Sequence, residues 1–360
     1  MSAAGYTRSA TLSPRSILSL RLWQFTGSAL VNLLACLLLL CYLFPISYMV
    51  VTAFRHNEQI QDRLAPWYPA EAILYTYQGQ QYQVYEVPTA EGVKEWALIS
   101  PRRAYSEFID PAHPEAGPIR WEGSWRSLRK VYRFGLAVDN FVNLWKVINF
   151  PQFVRNTLIV AFLGEIGVLC SSIAVAYGFS RFKIPGGDIL FFILVATIIL
   201  PEKATLVPTY FLFVRVFDWN GSWLPLIVPH FFGSAIFIFL LRQNFKSIPK
   251  EQDEAAMLDG AGPLRILLSI ILPQSIPVVL TVALIFFYYA WNETRIASLY
   301  LGVSPDLRTV SFGVQSYQSL FPPVGQLQAS ALIVLVVPVI ILFLSQRFFM
   351  QHMVVTGMEK

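Results

Sequence analysis

A small set of polar and aromatic side chains interrupts the long apolar runs of this chain. The set consists of Glu165, Ser171, Ser172, Tyr289, Asn292 and Glu293. Hydrogen-bonding and ionisable groups are costly inside a lipid bilayer, so they usually face the interior of a helix bundle or a water-filled route. Hydroxyl, amide and carboxylate groups beside an aromatic ring can bind a polar molecule. We therefore predict that these residues face the interior of a helix bundle, a water-filled route or a partner.

Each of these residues also has a structural explanation. Glu165 can lie nearer the outer membrane surface than its apolar run suggests, instead of facing a pore or a partner. Asn292 and Glu293 can serve as polar groups at a helix end. Tyr289 and its neighbour Tyr288 can belong to the aromatic belt of the membrane interface. The sequence leaves both explanations open.

Other kinds of site chemistry lack an organising motif. The histidines are scattered without metal-ligand spacing, and the chain has no Gly-x-x-x-x-Gly-Lys-Ser/Thr phosphate-binding loop. Cys36, Cys41 and Cys170 lie in apolar runs, which favours small buried side chains over a disulfide framework or a zinc site. A membrane-anchored enzyme stays an alternative, because segment 60–135 holds Glu86, Glu95, Asp110, His113 and Glu115.

The elements that must position these residues are membrane helices. Hydrophobic residues make up 55% and charged residues 14% of the chain, whereas about a quarter of a soluble domain is charged. A helix needs about 20 apolar residues to cross the hydrocarbon core. We predict six such helices, at 29–54, 157–179, 189–210, 223–241, 266–290 and 329–348. Prolines predict kinks in them, at Pro201, Pro208, Pro225, Pro229, Pro273, Pro277 and Pro338.

The distribution of Lys and Arg predicts the orientation. The short segments on one side carry Arg8, Arg15, Arg21, Arg181, Lys183, Arg242, Lys246, Lys250, Arg265, Arg347 and Lys360. Those on the other side carry Lys203, Arg215, Arg295 and Arg308. By the positive-inside rule the first side is cytoplasmic, so we expect both termini inside the cell. The net charge of +5 is not clustered into a patch, so no nucleic-acid partner is expected.

The predicted fold class is an all-α polytopic membrane protein with a small β-rich extracytoplasmic insertion. Its predicted parts are a tail at 1–28, the first helix at 29–54, the insertion at 55–135, a core with the other five helices at 136–349 and a tail at 350–360.

Local patterns refine this organisation. Residues 73–77 and 82–87 alternate and are rich in aromatic and β-branched residues, which predicts a hairpin, and 96–99 can form a third strand. Segment 136–156 predicts an amphipathic helix at the outer interface, with Asp139 as its N-cap.

One polar segment between two apolar runs predicts a short helix of about ten residues, roughly 15 Å long. Pro249 fits its first turn, and Glu251 and Asp253 place negative charge near the positive end of the helix dipole. Gly260 predicts a left-handed stop. A helix this short is marginal alone in water, so we interpret it as a docking helix. The alternative is a surface helix that lies on the membrane.

This segment resembles the EAA loop of permease subunits of ATP-binding-cassette (ABC) importers. The matching residues are Glu254, Ala255, Ala256, Gly260, Ile271, Leu272 and Pro273. The resemblance extends to Ala176–Arg181, to Pro201 with Pro208–Tyr210, to Trp291–Glu293 and to the C-terminal tail, and it covers about 29–54 and 136–360. It is closest to the carbohydrate type, in particular the maltose-type second permease subunit. Thr294 and Arg295 depart from that pattern, where phenylalanine usually follows.

The resemblance implies a sugar or oligosaccharide importer in a bacterial or archaeal cytoplasmic membrane. The partners it implies are a second permease subunit, two copies of a cytoplasmic ATPase that carry ATP and Mg, and an extracytoplasmic solute-binding protein. This chain itself is then not an enzyme and holds no cofactor. The resemblance also implies a transport path lined by polar groups of the spans, and the six residues named at the outset are its candidates. Loop 247–265 is the implied coupling element, with Glu254, Ala255, Ala256, Met257, Leu258, Asp259, Gly260 and Ala261 at the ATPase. A permease for a polyamine or an oxyanion is the main alternative, and the insertion can either grip the binding protein or shield the pore mouth.

Overall fold

The protein consists of α-helices and a small group of β-strands. The computed structural model describes residues 14–102 and 105–356, with side chains except those of 14–26, Glu202 and 347–356. Predictions that involve Arg8, Gly357 and Lys360 lie outside the described residues, as do the side chains of Arg15, Arg21 and Arg347. The α-helices are α1 (Pro14–Ala53), α2 (Asn57–Gln61), α3 (Asp139–Val147), α4 (Phe150–Arg181), α5 (Gly187–Ala196), α6 (Glu202–Phe211), α7 (Leu224–Ile227), α8 (Ala235–Ser247), α9 (Lys250–Leu258), α10 (Pro263–Ile266), α11 (Leu272–Gln274), α12 (Ile276–Asn292), α13 (Arg295–Leu301), α14 (Val310–Gln318) and α15 (Val324–Thr356).

Four helices of the described chain are individually long and apolar enough to cross a membrane. They are Gly27–Ala53, Phe150–Arg181, Leu224–Ser247 and Val324–Gln346. Two further spans are possible as bent pairs, namely Gly187–Ile199 with Lys203–Val216 and Pro263–Gln274 with Ile276–Asn292. By length and composition the described residues therefore contain four to six candidate spans, in the regions where the sequence predicts six.

The predicted third and fifth spans are bent pairs of helices, at prolines where the sequence predicts kinks. The third bends by 97° at Pro201, whose extended backbone (φ −68°, ψ 127°) separates the two halves. The fifth bends by 80° at Ser275, just before Pro277, which lacks the amide hydrogen that a continuous helix needs there. The predicted effect of proline on these spans is therefore seen as two large bends.

The predicted helix within 136–156 is also shorter than expected. Helix α3 ends at Val147, and Asn149 adopts a left-handed backbone (φ 43°) that ends the run. Pro151, in the first turn of α4, suits a new helix start, so 150–156 belong to the long second span. Asp139 is the first residue of α3 and not its N-cap, which is Val138. Its charge still lies in the first turn, where the dipole favours an acid.

The segment between α2 and α3 is a small β-rich region, as predicted. Its strands are β1 (Ala70–Ala72), β2 (Leu74–Tyr77), β3 (Gln80–Thr89), β4 (Gly92–Pro101), β5 (Tyr105–Ile109), β6 (Ile119–Glu122), β7 (Arg129–Lys130) and β8 (Tyr132–Phe134). Strands β2 to β6 pair in order as antiparallel neighbours, β7 pairs with β3, and β1 pairs with β8. The predicted hairpin turns at Gln78 and Gly79, both with positive φ, as a tight two-residue turn requires.

Helix α4 is the centre of the helical core. It packs against α8 and α12, and the buried cluster between them includes Val168, Leu241, Phe245, Val282 and Phe286. Helix α1 lies at the edge and packs along α15. None of the residues in the most apolar stretch of Gly27–Ala53 is buried, so α1 presents an exposed apolar surface.

The two ends of α4 mark two opposite ends of the helix bundle. Near its first residues, Asn140 of α3 donates hydrogen bonds to the carbonyls of Ala53 (2.9 Å) and Arg55 (3.0 Å) at the end of α1. Near its last residues, the Tyr177 hydroxyl donates to the Pro263 carbonyl (3.0 Å). A 32-residue helix is about 48 Å long, so the β-rich region and α9 are attached at opposite ends.

Candidate functional site

The segment predicted to dock a partner forms a nine-residue helix, α9. It begins after Pro249, which is the N-cap and lies one position before the predicted first turn. Glu251 and Asp253 are in the first turn, where they complement the helix dipole. The helix therefore starts where the charge pattern predicts, with proline just outside it.

Gly260 ends α9 in the predicted left-handed conformation, at φ +79°. Its amide donates to the Met257 carbonyl (3.0 Å), and the Ala261 amide donates to the Ala256 carbonyl (2.9 Å). This pair of bonds is a Schellman motif, which satisfies carbonyls that the helix end leaves without partners. The chain can then turn sharply back towards the membrane.

One face of α9 is fixed to the helix bundle by a buried ion pair. Asp253 Oδ2 lies 2.5 Å from Arg181 Nε, and both side chains are 6% exposed. Arg181 also donates through Nη2 to the Ile248 carbonyl (3.0 Å), just before α9. Ala256 and Ala261 pack against the core cluster on the same side. The segment is therefore a rigid extension of the end of α4.

The side of α9 away from Asp253 is uncovered. Leu258 is 91% exposed, and Glu251, Glu254 and Ala255 are exposed beside it, while Met257 at the flank of the helix is 57% exposed. A mixed apolar and acidic surface held in place by a buried ion pair is suited to contact a partner. The sequence did not predict the pairing of Arg181 with Asp253, although it placed both charges at the same membrane face.

A second feature is a cavity of about 220 Å³ where four helices meet. Its walls come from α6, α7, α12 and α13, with Val160 of α4. The polar and aromatic groups on the wall include Lys203, Thr209, His230, Tyr289, Glu293, Arg295 and Tyr300. These groups line the same cavity because the chain bends at Pro201, just before α6, and again between α12 and α13 at Glu293.

Two of the six predicted pathway residues, Tyr289 and Glu293, line this cavity. The Tyr289 ring lies 6.0 Å from the imidazole of His230, edge to face. Glu293 Oε1 accepts a hydrogen bond from the Ile296 amide (2.6 Å) at the start of α13. Glu293 therefore has the helix-end role that the sequence left open, and it also faces the cavity.

Ser171 and Ser172 lie on α4 and not on this cavity. They face the point in the fourth span where a 3-10 stretch, Val228–Phe232, ends at Gly233 and α8 begins. Ser171 Oγ donates to the Gly167 carbonyl (2.7 Å) and lies 3.2 Å from the His230 carbonyl. Ser172 Oγ accepts from the Ser234 amide (3.4 Å), where a 3-10 stretch gives way to α8. Both hydroxyls thus bind backbone groups at or beside this point.

Glu165 and Asn292 are also outside the cavity. Glu165 lies in a separate groove of about 230 Å³ between α4, α12 and α15, among apolar side chains such as Leu284 and Phe287. The Asn292 amide donates to the Tyr288 carbonyl (2.9 Å) of its own helix and is exposed. The predicted set is therefore divided among four places.

Three cavity residues were missed as pathway candidates: Lys203, His230 and Arg295. They come from three different segments, so spacing along the chain gives no sign that they meet. A local signal existed in each case, since a charged or imidazole side chain lies within or beside an apolar run. Arg295 also stands at the position where the chain departs from the EAA-loop permeases.

Comparison with known proteins agrees with this architecture. The family model for "Binding-protein-dependent transport system inner membrane component" matches residues 167–355, which is more than half of the chain. A chain from a bacterial ABC transporter involved in the import of the acidic polysaccharide alginate has a similar fold. It aligns with a TM-score of 0.61 at 18% identity, over 96% of this chain and all of that chain.

Relatives by sequence are permeases. The trehalose/maltose transport system permease protein MalG of Thermococcus litoralis is 30% identical over 217 residues, which are 59% of this chain and 77% of that protein. The sulfoquinovosyl glycerol transport system permease protein SmoH of Agrobacterium fabrum is 31% identical over 207 residues, 57% of this chain and 70% of the relative. Such permeases are integral membrane proteins and not themselves enzymes. The chain therefore belongs to the family of binding-protein-dependent transport system inner membrane components, the permeases of ABC transporters.

Proposed function

We propose that this chain is one permease subunit of an ATP-driven importer for a sugar or oligosaccharide. It forms half of a transmembrane route with a second permease subunit. Two copies of a cytoplasmic ATPase drive it, and an extracytoplasmic binding protein delivers the solute. The family description and the sugar permeases among the relatives support this proposal.

The observation that carries the coupling role is the two-sided character of α9. Its inner face is bound to α4 through Asp253 and Arg181, while Leu258 on the outer side and Met257 at the flank are exposed apolar side chains. A rigid element of this kind can transmit a two-state change between a partner and the spans. We propose that residues 254–261 contact the ATPase and that its closure moves α9 together with the end of α4.

The cavity at the bends supports a polyhydroxylated solute. Aromatic faces of Tyr289 and Tyr300 lie beside hydrogen-bonding groups of Thr209, His230 and Glu293. Lys203 and Arg295 share the wall with a single carboxylate, that of Glu293. The described wall therefore lacks the excess of negative charge expected of a polyamine site. We propose that Tyr289 and Glu293 contact solute, and that Glu165, Ser171, Ser172 and Asn292 act elsewhere in the transport cycle.

A cross-linking experiment tests the coupling role. In a chain without its native cysteines, Leu258→Cys is expected to cross-link to a co-purifying ATPase after extraction in mild detergent. Asp188→Cys is the matched control, because Asp188 is also fully exposed near the same end of α4. An ATPase that co-purifies but cross-links equally at position 188, or at neither position, contradicts docking through α9.

Uptake into proteoliposomes that contain the complete complex tests the solute class. With the co-assembled binding protein, we expect ATP-dependent uptake of a labelled sugar from a panel that also contains polyamines and oxyanions. Uptake of a polyamine or an oxyanion alone would replace the sugar proposal and leave the coupling proposal intact.

A further inference from the structure

The two chain segments that join the β-rich region to the helices carry large apolar side chains that are exposed. The incoming segment has Leu64, Trp67 and Tyr68, and the outgoing segment has Phe134, Leu136 and Val138. Trp67 is 78% and Phe134 73% exposed. We refer to these six residues as the collar.

The exposed side chains of the collar are separate from the hydrophobic core of the β-rich region. The large side chains of that core, such as Trp96 and Phe108, are buried within the sheet. Among the described residues from 62 to 138, eight large hydrophobic side chains are exposed, and six of them are in the collar. The other two, Leu74 and Val93, lie on strands β2 and β4. Exposed apolar area is thus concentrated at the base of this region.

Hydrogen bonds fix the incoming collar segment against α2 and join it to the outgoing segment. The Gln59 amide donates to the carbonyls of Pro66 (2.9 Å) and Tyr68 (2.6 Å). Ala70 pairs with Phe134 in the β1–β8 ladder, and the Gly135 amide donates to the Pro69 carbonyl (3.4 Å). The collar is therefore one fixed surface and not two loose loops.

The collar is also bound to the end of the first span. Arg55 donates through Nη2 to the Pro66 carbonyl (3.3 Å), and the Ala137 amide donates to the Phe54 carbonyl (2.9 Å). Candidate span Gly27–Ala53 ends immediately before these two residues. The collar is therefore fixed directly beside the last residues of this candidate span.

Helix α3 continues this apolar surface. Its exposed residues include Val142 and Trp145, and its Asn140 is bonded to the last carbonyls around Ala53. Trp and Tyr are enriched where a membrane meets water, because their rings combine an apolar body with a polar group. The collar and α3 together have the composition of such an interface.

The charges around the collar are of both signs. Arg63 and Arg133 are exposed, and so are Glu58 and Glu71. Asp62 is occupied by a hydrogen bond from the Tyr132 hydroxyl (2.9 Å) and lies 4.0 Å from the Lys130 ammonium. Because these charges have no excess of one sign, the surface favours an apolar partner over a strongly charged one.

We infer that the collar is seated in the interfacial layer of the lipid leaflet at which α1 ends. The β-rich region then has a fixed orientation relative to the bilayer. Its entry and exit segments are held both by lipid and by the end of α1. The occupant of the exposed apolar surface is lipid, continuous with the lipid around the first span.

Site-directed spin labelling of the complete transport complex in lipid nanodiscs tests this inference. Nitroxides are attached at Trp67→Cys and Phe134→Cys in a chain whose native cysteines are replaced. Val93→Cys is the control, because Val93 is about as exposed as Trp67 and Phe134 but lies far from the collar. It pairs with Pro88, which is about 13 Å along β3 from Val84, where the sheet contacts the segment next to the collar. Collisions with apolar oxygen and with a water-soluble nickel chelate are compared.

We expect the ratio of oxygen to nickel collisions at positions 67 and 134 to exceed that at position 93 several-fold, as for labels in a bilayer. A ratio equal to that at position 93 would place the collar in water and overturn the inference. Protection from both reagents would overturn it as well, because it would mean that another protein covers the collar. Unchanged thermal unfolding of each labelled complex confirms that the label has not disrupted the fold. None of these outcomes depends on which solute is transported.

Discussion

At the scale of single residues, Gly260 both ends α9 and lies in the proposed ATPase contact. It adopts φ +79°, and an added Cβ would have no neighbour within 4 Å. A substitution there is therefore limited by backbone strain and by what the new side chain presents to a partner, and not by a clash within this chain. Asn and Asp tolerate this conformation better than most residues, and they differ by one charge.

This difference separates the two effects. Gly260→Asp is expected to lower transport per ATP hydrolysed several-fold, because it adds a negative charge at the carbonyl end of the helix dipole and at the proposed ATPase contact. Gly260→Asn keeps the shape without the charge and is expected to retain most of the coupling. Transport and ATPase activity are measured on the same proteoliposomes. A Gly260→Asp complex with unaltered transport per ATP would refute the docking role of this helix end.

Glycine serves a second purpose where helices pack closely. A Cβ at Gly313 of α14 would lie 2.2 Å from the Phe153 ring of α4, whereas at Gly178, also in α4, it would meet nothing within 4 Å. Gly313→Ala is expected to destabilise the protein by about 1–3 kcal/mol through overpacking. Gly178→Ala is expected to be neutral or to stabilise by up to about 1 kcal/mol, since alanine favours a helix interior.

The measurement is the midpoint of thermal unfolding in detergent for the two single variants beside the parent. A lower midpoint for Gly313→Ala than for Gly178→Ala agrees with the packing. If the order were reversed, the contact between α14 and α4 would not be as the structure has it.

At the scale of elements, the buried pair of Arg181 and Asp253 makes α9 part of the helix bundle. Removing one partner of a buried pair leaves an uncompensated charge and costs about 3–5 kcal/mol. We expect Asp253→Ala to abolish most of the transport, because α9 is then no longer held to α4. Asp188→Ala is the matched control, since Asp188 is fully exposed near the same end of α4, lies outside residues 254–261 and is expected to have a small effect.

A combined exchange of charges, Arg181→Asp with Asp253→Arg, is expected to recover part of the lost activity. Recovery is expected to be only partial, because the exchange moves the guanidinium away from the Ile248 carbonyl to which Arg181 donates. Asp253 Oδ1 and Arg181 Nη1 are also buried without a hydrogen-bond partner, so the surroundings of the two side chains are not equivalent. Transport is measured for both single exchanges and for the double exchange. If the double exchange is no more active than either single one, the pair does not act as the tether.

At the scale of the whole molecule, α4 separates two functional ends. The β-rich region and the collar are attached at its start, and α9 at its end, about 48 Å apart for 32 residues. This distance exceeds the thickness of a hydrocarbon core of about 30 Å, so the two ends can lie on opposite sides of a membrane.

Labelling with a membrane-impermeant maleimide tests this arrangement. In a chain without native cysteines, Glu91→Cys at the tip of the β3–β4 hairpin is expected to react from outside in intact spheroplasts. Glu251→Cys on α9 is expected to react only after the membrane is permeabilised. Both positions are exposed, so accessibility within the protein does not bias the comparison. Reaction at both positions, or the reverse pattern, would contradict the predicted orientation.

The sequence by itself determined the membrane class, the regions of the spans, the β-hairpin and the helix stop at Gly260. Each of these depends on local information, namely runs of apolar residues, alternation, or one residue whose backbone conformation is restricted. The EAA-loop pattern is likewise a local motif, and it led to the family. Tertiary structure decided what local patterns do not contain. It broke two spans at Pro201 and Ser275, paired Arg181 with Asp253 across more than 70 positions, and brought Lys203, His230, Tyr289 and Arg295 to one cavity. These contacts depend on which helices pack together, because burial and charge pairing are properties of the assembled bundle and not of any segment alone.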